Sequence, residues 1–342
     1  MSIKSGMEMF NDHRKLFGAA LLLFIALSFF VAILPAINNQ NNNAPLPGSE
    51  ALTGDALAGK HIFISEGCVA CHSQQVRNVD MDNTWGSRPS LAADYANSTR
   101  MNWWMNTATL MGTERTGPDL TAIGTRLPAA DWHLLHLYNP RAVVEQSIMP
   151  AYPWFFEWKS QPSKDDRVVS VPEGLERGNR GKLVARKEAM QLVAYLQSLK
   201  QTPLPDGTPA PKFLYKADNQ SDPQDGDEML KIDGARLYAN NCQACHQANG
   251  EGLKGAFPPL KSSPVVLDDD PAILIEVIMN GYDGREEYGE MPAVGANNGL
   301  NAEEITAIIN HERTSWGNKA RVIPLEEVEK ILMQLENTKP NL

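Results

Sequence analysis

The four cysteines of this 342-residue chain fall into two copies of one pentapeptide, Cys68-Val-Ala-Cys71-His72 and Cys242-Gln-Ala-Cys245-His246. Cys-x-x-Cys-His is the pattern to which c-type haem is attached. Two thiols three residues apart reach the two vinyl groups of one porphyrin, and the next imidazole points at the iron. No cysteine remains for a disulfide, a zinc site or a nucleophile. The alternatives are two redox dithiols or one four-thiolate zinc site, and neither requires a His directly after the second Cys in both copies. The chain is therefore expected to carry two covalently bound haem c groups through Cys68, Cys71, Cys242 and Cys245. His72 and His246 are the expected axial iron ligands, one for each haem.

Around these motifs the chain is expected to be mostly α: an N-terminal transmembrane helix followed by two cytochrome c-like all-α haem domains. From Leu16 to Ile37 there are 22 residues without a charge, a helix of about 33 Å that is long enough for a bilayer core. The run is too long for a signal peptide and no small-x-small cleavage site follows it, so it reads as a retained anchor. Lys4, Arg14 and Lys15 precede it, whereas Asn38 to Ser49 carries no charge. The positive-inside rule then places residues 1–15 in the cytoplasm and everything after residue 37 in the periplasm of a bacterial inner membrane. That side is where c-type haem is attached.

The Asn- and Pro-rich segment 38–50 reads as a linker, 51–200 as the first haem domain, and 227–342 as the second. The Pro-, Asp- and Gly-rich segment 201–226 links the two. Each motif is preceded by a Gly and an aromatic four residues apart, Gly59 with Phe63 and Gly234 with Tyr238, on expected helices 55–66 and 228–240. Residues four apart share a helix face, and a Gly there lets another helix cross closely. The expected crossing partners are the amphipathic stretches 187–200 and 302–315, the second stopped by Gly317.

A haem that shuttles electrons needs a second strong axial ligand, so that the iron stays six-coordinate in both redox states. Met, a soft thioether donor, is the expected type. Of 13 Met residues, Met149 and Met291 are each followed by Pro-Ala, and Pro stiffens such a loop. Met291 follows His246 by 45 residues, with only Met279 between them, and Met149 follows His72 by 77 residues, with Met81, Met101, Met105 and Met111 between them. Core filling is the ordinary alternative for any Met. His133 and His136 are rivals that would give bis-His iron, although capping or packing suits them better. Pro118, in Thr116-Gly-Pro-Asp-Leu120, and Pro259, in Phe257-Pro-Pro-Leu260, are expected to offer a carbonyl to the ligand imidazoles. A plain turn is the alternative.

Residues 201–342 hold 12 basic against 23 acidic side chains, so the net charge of -10 belongs to the last third of the chain. Such a surface repels nucleic acid and suits a basic partner such as a small soluble cytochrome; a merely solvated acidic face is the alternative.

The region from about Ala58 to Glu157 resembles the membrane-anchored mono-haem subunit of cbb3-type haem–copper oxidases. The resemblance rests on Ser65-Glu-Gly-Cys-Val-Ala-Cys-His-Ser-Gln-Gln-Val-Arg77, Arg115-Thr-Gly-Pro-Asp-Leu120, Asp131-Trp-His, Asn139-Pro-Arg141 and Ser147-Ile-Met-Pro-Ala-Tyr-Pro-Trp154. Leu192-Val-Ala-Tyr-Leu-Gln-Ser198 and the anchor extend it over nearly all of residues 15–200. It implies Met149 as iron ligand and Arg115, Arg126 and Trp154 near the haem propionates. It also implies docking against a multi-span haem–copper catalytic subunit and electron delivery to its haem b. Departures are the Trp-, Met- and Asn-rich stretch Asn102-Trp-Trp-Met-Asn106 and the absence of an acidic residue in Phe30-Val-Ala-Ile-Leu34. Residues 227–336 resemble class I cytochrome modules fused to oxidases and dehydrogenases, through Asn249-Gly-Glu-Gly252, Phe257-Pro-Pro-Leu260, Glu290-Met-Pro292 and Thr314-Ser-Trp-Gly-Asn318.

The expected function is that of a dihaem electron-transfer subunit of a terminal oxidase, not itself catalytic. Electrons would come from a periplasmic soluble cytochrome c or copper protein through the C-terminal haem, then the N-terminal one. The same wire would serve a nitric oxide reductase of that superfamily. A dihaem peroxidase would need one iron with an open site. The cytochrome subunit of a periplasmic dehydrogenase is favoured by the C-terminal module alone, and the anchor and the first-domain resemblance count against it.

Overall fold

In the computed structural model, residues 11–42, 45–52, 54–95, 110–172, 174–175, 181–214, 233–285 and 287–338 are described. They form two compact units, Met1–Ala51 with Ser90–Leu110 and Thr202–Ala210, and Leu52–Pro89 with Met111–Gln201 and Pro211–Leu342. The stretch Asn102–Asn106 and residues 215–226 of the expected second linker lie outside the described residues.

In the first unit, α1 (His13–Leu27) continues through a π-helical stretch (Ser28–Ile33) into α2 (Leu34–Asn42). Asp12 caps the start by accepting the N–H of Arg14 at 3.0 Å. The 27 residues His13–Asn39 are long and apolar enough to cross a membrane, and none of the most apolar window is buried by protein. Phe17, Leu22, Phe24 and Val31 are all more than two-thirds exposed. A helix that is apolar all round and uncovered by protein fits a bilayer.

The second unit begins with α3 (Gly54–Ser65) and includes α4 (Ala130–Tyr138) and α5 (Lys187–Ser198). The α3–α5 crossing turns on Gly59: a Cβ there would lie 1.9 Å from Gln191 O. Phe63, one turn on, meets Tyr195 edge to face at 5.4 Å, so the paired Gly and aromatic do opposite jobs. The glycine lets the backbones touch, and the ring fills the space beside the contact. Leu134, Leu135, Leu192 and Val193 complete this core.

Between α4 and α5 the chain forms an antiparallel sheet of three strands that the sequence reading does not anticipate. Its strands β1 (Phe156–Lys159), β2 (Arg167–Val169) and β3 (Lys182–Ala185) stand in the order β1-β3-β2. Phe156 pairs with Ala185, and Arg167 pairs with Ala185 from the other side.

The C-terminal region repeats the frame. Helix α6 (Gly234–Asn241) starts at Gly234, because Asp233 caps it by accepting the N–H groups of Ala235 and Arg236. Of the expected helix 228–240, residues 228–232 lie outside the described residues. Gly234 meets α8 (Ala302–Thr314) as Gly59 meets α5: a Cβ would lie 2.2 Å from Ala307 O. Asn301 and Glu304 cap α8 reciprocally. It ends at Thr314, where Trp316 and Gly317 take positive φ. Helix α7 (Ala272–Asn280) packs its Leu274, Ile275 and Ile278 on Ile305 and Ile309 of α8. A further helix, α9 (Leu325–Thr338), closes the same core through Val328 and Ile331.

Candidate haem c sites

Each attachment motif is a tight turn closed by a bond from the His N–H back to the first Cys carbonyl. In the first, Gly67 at φ 73 swings the chain out of α3, and Cys68 O accepts the His72 N–H at 3.0 Å. In the second, Cys242 O accepts the His246 N–H at 3.0 Å. His72 Nδ1–H donates to Pro118 O at 2.9 Å, which turns Nε2 away from the loop and toward the space an iron would take. Gly117 sits against that ring, since a Cβ there would lie 2.3 Å from His72 Cε1.

At the second site, His246 Nδ1–H donates to Pro258 O at 2.9 Å. The expected Pro259 is thus corrected by one residue. In both regions the accepting carbonyl lies two residues before a Leu whose N–H is anchored: Leu120 to Ser73 O, and Leu260 to Gly250 O. Counted from that Leu, Pro258 is the counterpart of Pro118.

Ionisation is disfavoured at three of the four thiols. Burial pushes Cys68 up to about 11 and Cys245 up to about 12, and it raises Cys242 as well. A reactive thiol is one held as a thiolate, the opposite of what burial does here. The two pairs also lie beside different imidazoles.

Cys242, Cys245, His246 and Met291 line one cavity of about 240 Å³, together with Phe257, Leu274, Ile278 and Tyr282. Met291 is held there by paired backbone bonds with Tyr282, at 2.8 and 2.9 Å. Two thiols, an oriented imidazole and a thioether in one apolar space fit a covalently tethered porphyrin with His and Met on its iron. Met279, the rival, packs into the core beside Gly295.

Met149 lies on a loop that Arg141 pins by donating to Ser147 O and Met149 O, at 3.0 and 3.2 Å. Its sulfur is 3.1 Å from His136 Nε2. The two histidines of α4 separate in role. His133 Nε2–H donates to Leu127 O at 2.7 Å, a packing contact, and burial pushes it down to about 4. His136 faces Met149, and burial pushes it down to about 3.

The residues expected near propionates are dispersed. Arg115 is engaged by protein: its Nη1 donates to both oxygens of Asp82 at 2.6 Å, its Nε to Ser73 at 2.7 Å, and its Nη2 to Gln75 O. Arg77 shares Asp82, which is fully buried. Burial alone would raise the Asp82 carboxyl, but the bonds from Arg77 and Arg115 outweigh it and hold the group at about 2. The cluster therefore staples the segment that follows His72 and leaves Arg115 little freedom for another anion. Arg126 donates to Asp119 O at 2.8 Å and lines the cavity of the second motif. Trp154 is half exposed and packs edge to face on Tyr152 at 5.2 Å.

Sequence reasoning missed two groups. Glu312, on α8, is 3 % exposed, lines the second cavity and is pushed up to about 8 by burial. Trp132 donates its indole N–H to Ala244 O at 3.0 Å. Asp131-Trp-His was visible as a string, but its partner 112 residues away was not.

Comparison with known proteins agrees with this construction. Residues 7–177 match the family described as cytochrome C oxidase, mono-heme subunit/FixO, and residues 231–311 match cytochrome C oxidase, cbb3-type, subunit III. The chain is similar to cytochrome c-552 of Thermus thermophilus, 36 % identical over 114 residues, covering 30 % of this chain and 76 % of that one. It is also similar to the cytochrome c subunit of alcohol dehydrogenase (quinone) of Gluconacetobacter polyoxogenes, 33 % identical over 132 residues, covering 38 % of this chain. The gluconate 2-dehydrogenase cytochrome c subunit of Pantoea cypripedii is 28 % identical over 141 residues, again covering 38 % of this chain. Only 27 % and 29 % of those two dehydrogenase subunits are spanned. Haem-attachment turns on a cytochrome c frame, behind a helix fit to cross a membrane, thus agree with the match over the N-terminal half: the chain belongs to the FixO family of cbb3-type cytochrome c oxidase subunits and carries a cbb3-type cytochrome c region after it.

Proposed function

We propose that this chain is a two-haem electron-transfer subunit of a cbb3-type terminal oxidase. Bound haem c supplies one-electron exchange between ferrous and ferric iron. The chain's own residues attach it (Cys68, Cys71, Cys242, Cys245), fix the imidazoles (Pro118 and Pro258 carbonyls) and offer His72 with Met149 and His246 with Met291 as axial pairs. Electrons pass from a periplasmic soluble cytochrome c or copper protein to the C-terminal site, then to the N-terminal site, and on to haem b of a multi-span haem–copper subunit. The acidic C-terminal third favours a basic donor at that end. Haem domains 51–200 and 227–342 stand on the periplasmic side, with residues 1–15 in the cytoplasm.

The observation that carries this reading is the convergence of Cys242, Cys245, His246 and Met291 on one apolar cavity, behind a region of the FixO family. A closed His/Met coordination shell suits transfer rather than turnover, which disfavours a peroxidase. Similarity to quinone-dependent alcohol dehydrogenase subunits supports a second reading, a dehydrogenase cytochrome. Purification of the complex in detergent separates the readings. Copurification of a multi-span haem–copper protein with oxygen consumption is expected. NO turnover without oxygen turnover assigns the complex to a nitric oxide reductase, and a copurifying dehydrogenase flavoprotein or quinoprotein overturns the oxidase assignment.

A further inference from the structure

Helix α4 touches both haem sites. At its N-terminal end Asp131 Oδ2 accepts the backbone N–H of Glu290 at 3.1 Å, immediately before Met291, while Arg167 holds Oδ1 at 2.8 Å. Beside it, Trp132 donates its indole N–H to Ala244 O at 3.0 Å, inside the turn between Cys242 and Cys245. One helical turn later the Trp132 ring lies flat on the His136 imidazole, with centroids 4.6 Å apart and planes 10° apart. His136 Nε2 in turn lies 3.1 Å from Met149 Sδ. A series of three contacts therefore runs from the second attachment turn to the candidate iron ligand of the first site.

Several features set this arrangement apart from ordinary core packing. A buried indole N–H needs a partner, and within a self-contained domain it usually finds one there. Trp132, 9 % exposed, takes its partner from the C-terminal region instead. The i, i+4 spacing that stacks Trp132 on His136 is set by the helix. His136 Nδ1 is buried without a hydrogen-bond partner, so the ring is held by its stack and by its contact with Met149. Electronic coupling falls off faster across empty space than through bonds and close contacts, which favours a route of this kind.

We propose that Trp132 and His136 form the route by which one electron passes between the two haem c groups, with Asp131 a positioning residue that holds the Met291 loop against α4. The inference rests on the two-haem reading above. One iron goes from ferrous to ferric as the other goes from ferric to ferrous. No bond forms or breaks, and neither side chain is oxidised or protonated: they lie between donor and acceptor.

The test uses the full chain with both haems in detergent. A photoexcited ruthenium complex injects one electron per molecule, and exchange between the haems is followed by their visible absorption bands. Trp132→Leu is expected to slow the exchange about tenfold or more. Trp132→Phe, which keeps a ring on His136, is expected to slow it less. Both haem potentials and the haem–haem separation measured by EPR should stay at their unmodified values. Exchange at the unmodified rate in Trp132→Leu would overturn the route. Slowing accompanied by a longer separation would also overturn it, because Trp132 would then only dock the two regions. Absence of any exchange in the unmodified chain would instead refute the two-haem relay itself.

Discussion

Replacing Gly59 by Ala tests the helix crossing on which the first haem site is built. The added Cβ would lie 1.9 Å from Gln191 O and 2.9 Å from Tyr195 Cβ. A comfortable carbon–oxygen contact is about 3.3 Å or more, so α3 and α5 must part by roughly 1.4 Å at the crossing. The obstacle is backbone, so no rotamer change relieves it. Overpacking of this kind costs about 1–3 kcal/mol, and here the upper end applies. Parting the helices also loosens the Phe63–Tyr195 edge contact, a pair worth about 0.5–1.5 kcal/mol. A loss near 3 kcal/mol corresponds to a fall of about 6–12 °C in Tm for a domain of this size. Gly54, at the start of the same helix, is the control, because a Cβ there meets nothing within 4 Å. Gly54→Ala is expected to be neutral or to add up to about 1 kcal/mol through helix propensity. Thermal unfolding of the full chain in detergent, read by circular dichroism and by haem absorbance, distinguishes them. Equal Tm values for the two variants would refute the close-crossing argument.

Met149→Ala and Met291→Ala should each remove the low-spin His/Met signature of one haem only, and loss of both signatures from one substitution would show the ligand assignment to be wrong. Asp82 has a folded pKa below its ordinary value, so its stabilisation is present above pH about 4 and fades as pH falls toward about 2. Acid unfolding of Asp82→Asn should lack that component, worth about 2 kcal/mol at neutral pH. Burial pushes the Glu312 carboxyl up to about 8. Its ionisation above that pH places negative charge at the second site and favours ferric iron, so that haem's potential should fall with rising pH by at most ~59 mV per unit. Redox titration of Glu312→Gln should give a flatter profile.

What the sequence makes legible is whatever is encoded within a few residues. Gly59 with Phe63, Gly234 with Tyr238, and the two attachment pentapeptides declare their helices and turns locally, and the charge-free run declares the long apolar helix. The sheet is different: its strands are three or four residues long, too short for alternation to show, and they exist only because β3 pairs on both sides. Arg115 reads as a free cation in sequence because Asp82, 33 residues earlier, is invisible to local pattern. The adjacent Pro258 and Pro259 could be told apart only by counting back from Leu260. Helix α9 did leave a signal in the spacing of Val328, Ile331, Leu332 and Leu335, which matches one buried helix face.

The central claim is that two porphyrins are covalently held by this one polypeptide. Mass measurement of the intact denatured chain addresses it most directly. A mass increased by two haem additions, both lost from a variant in which all four cysteines are replaced by alanine, is the predicted result. A chain carrying one addition or none after maturation in a haem c-competent host would contradict it.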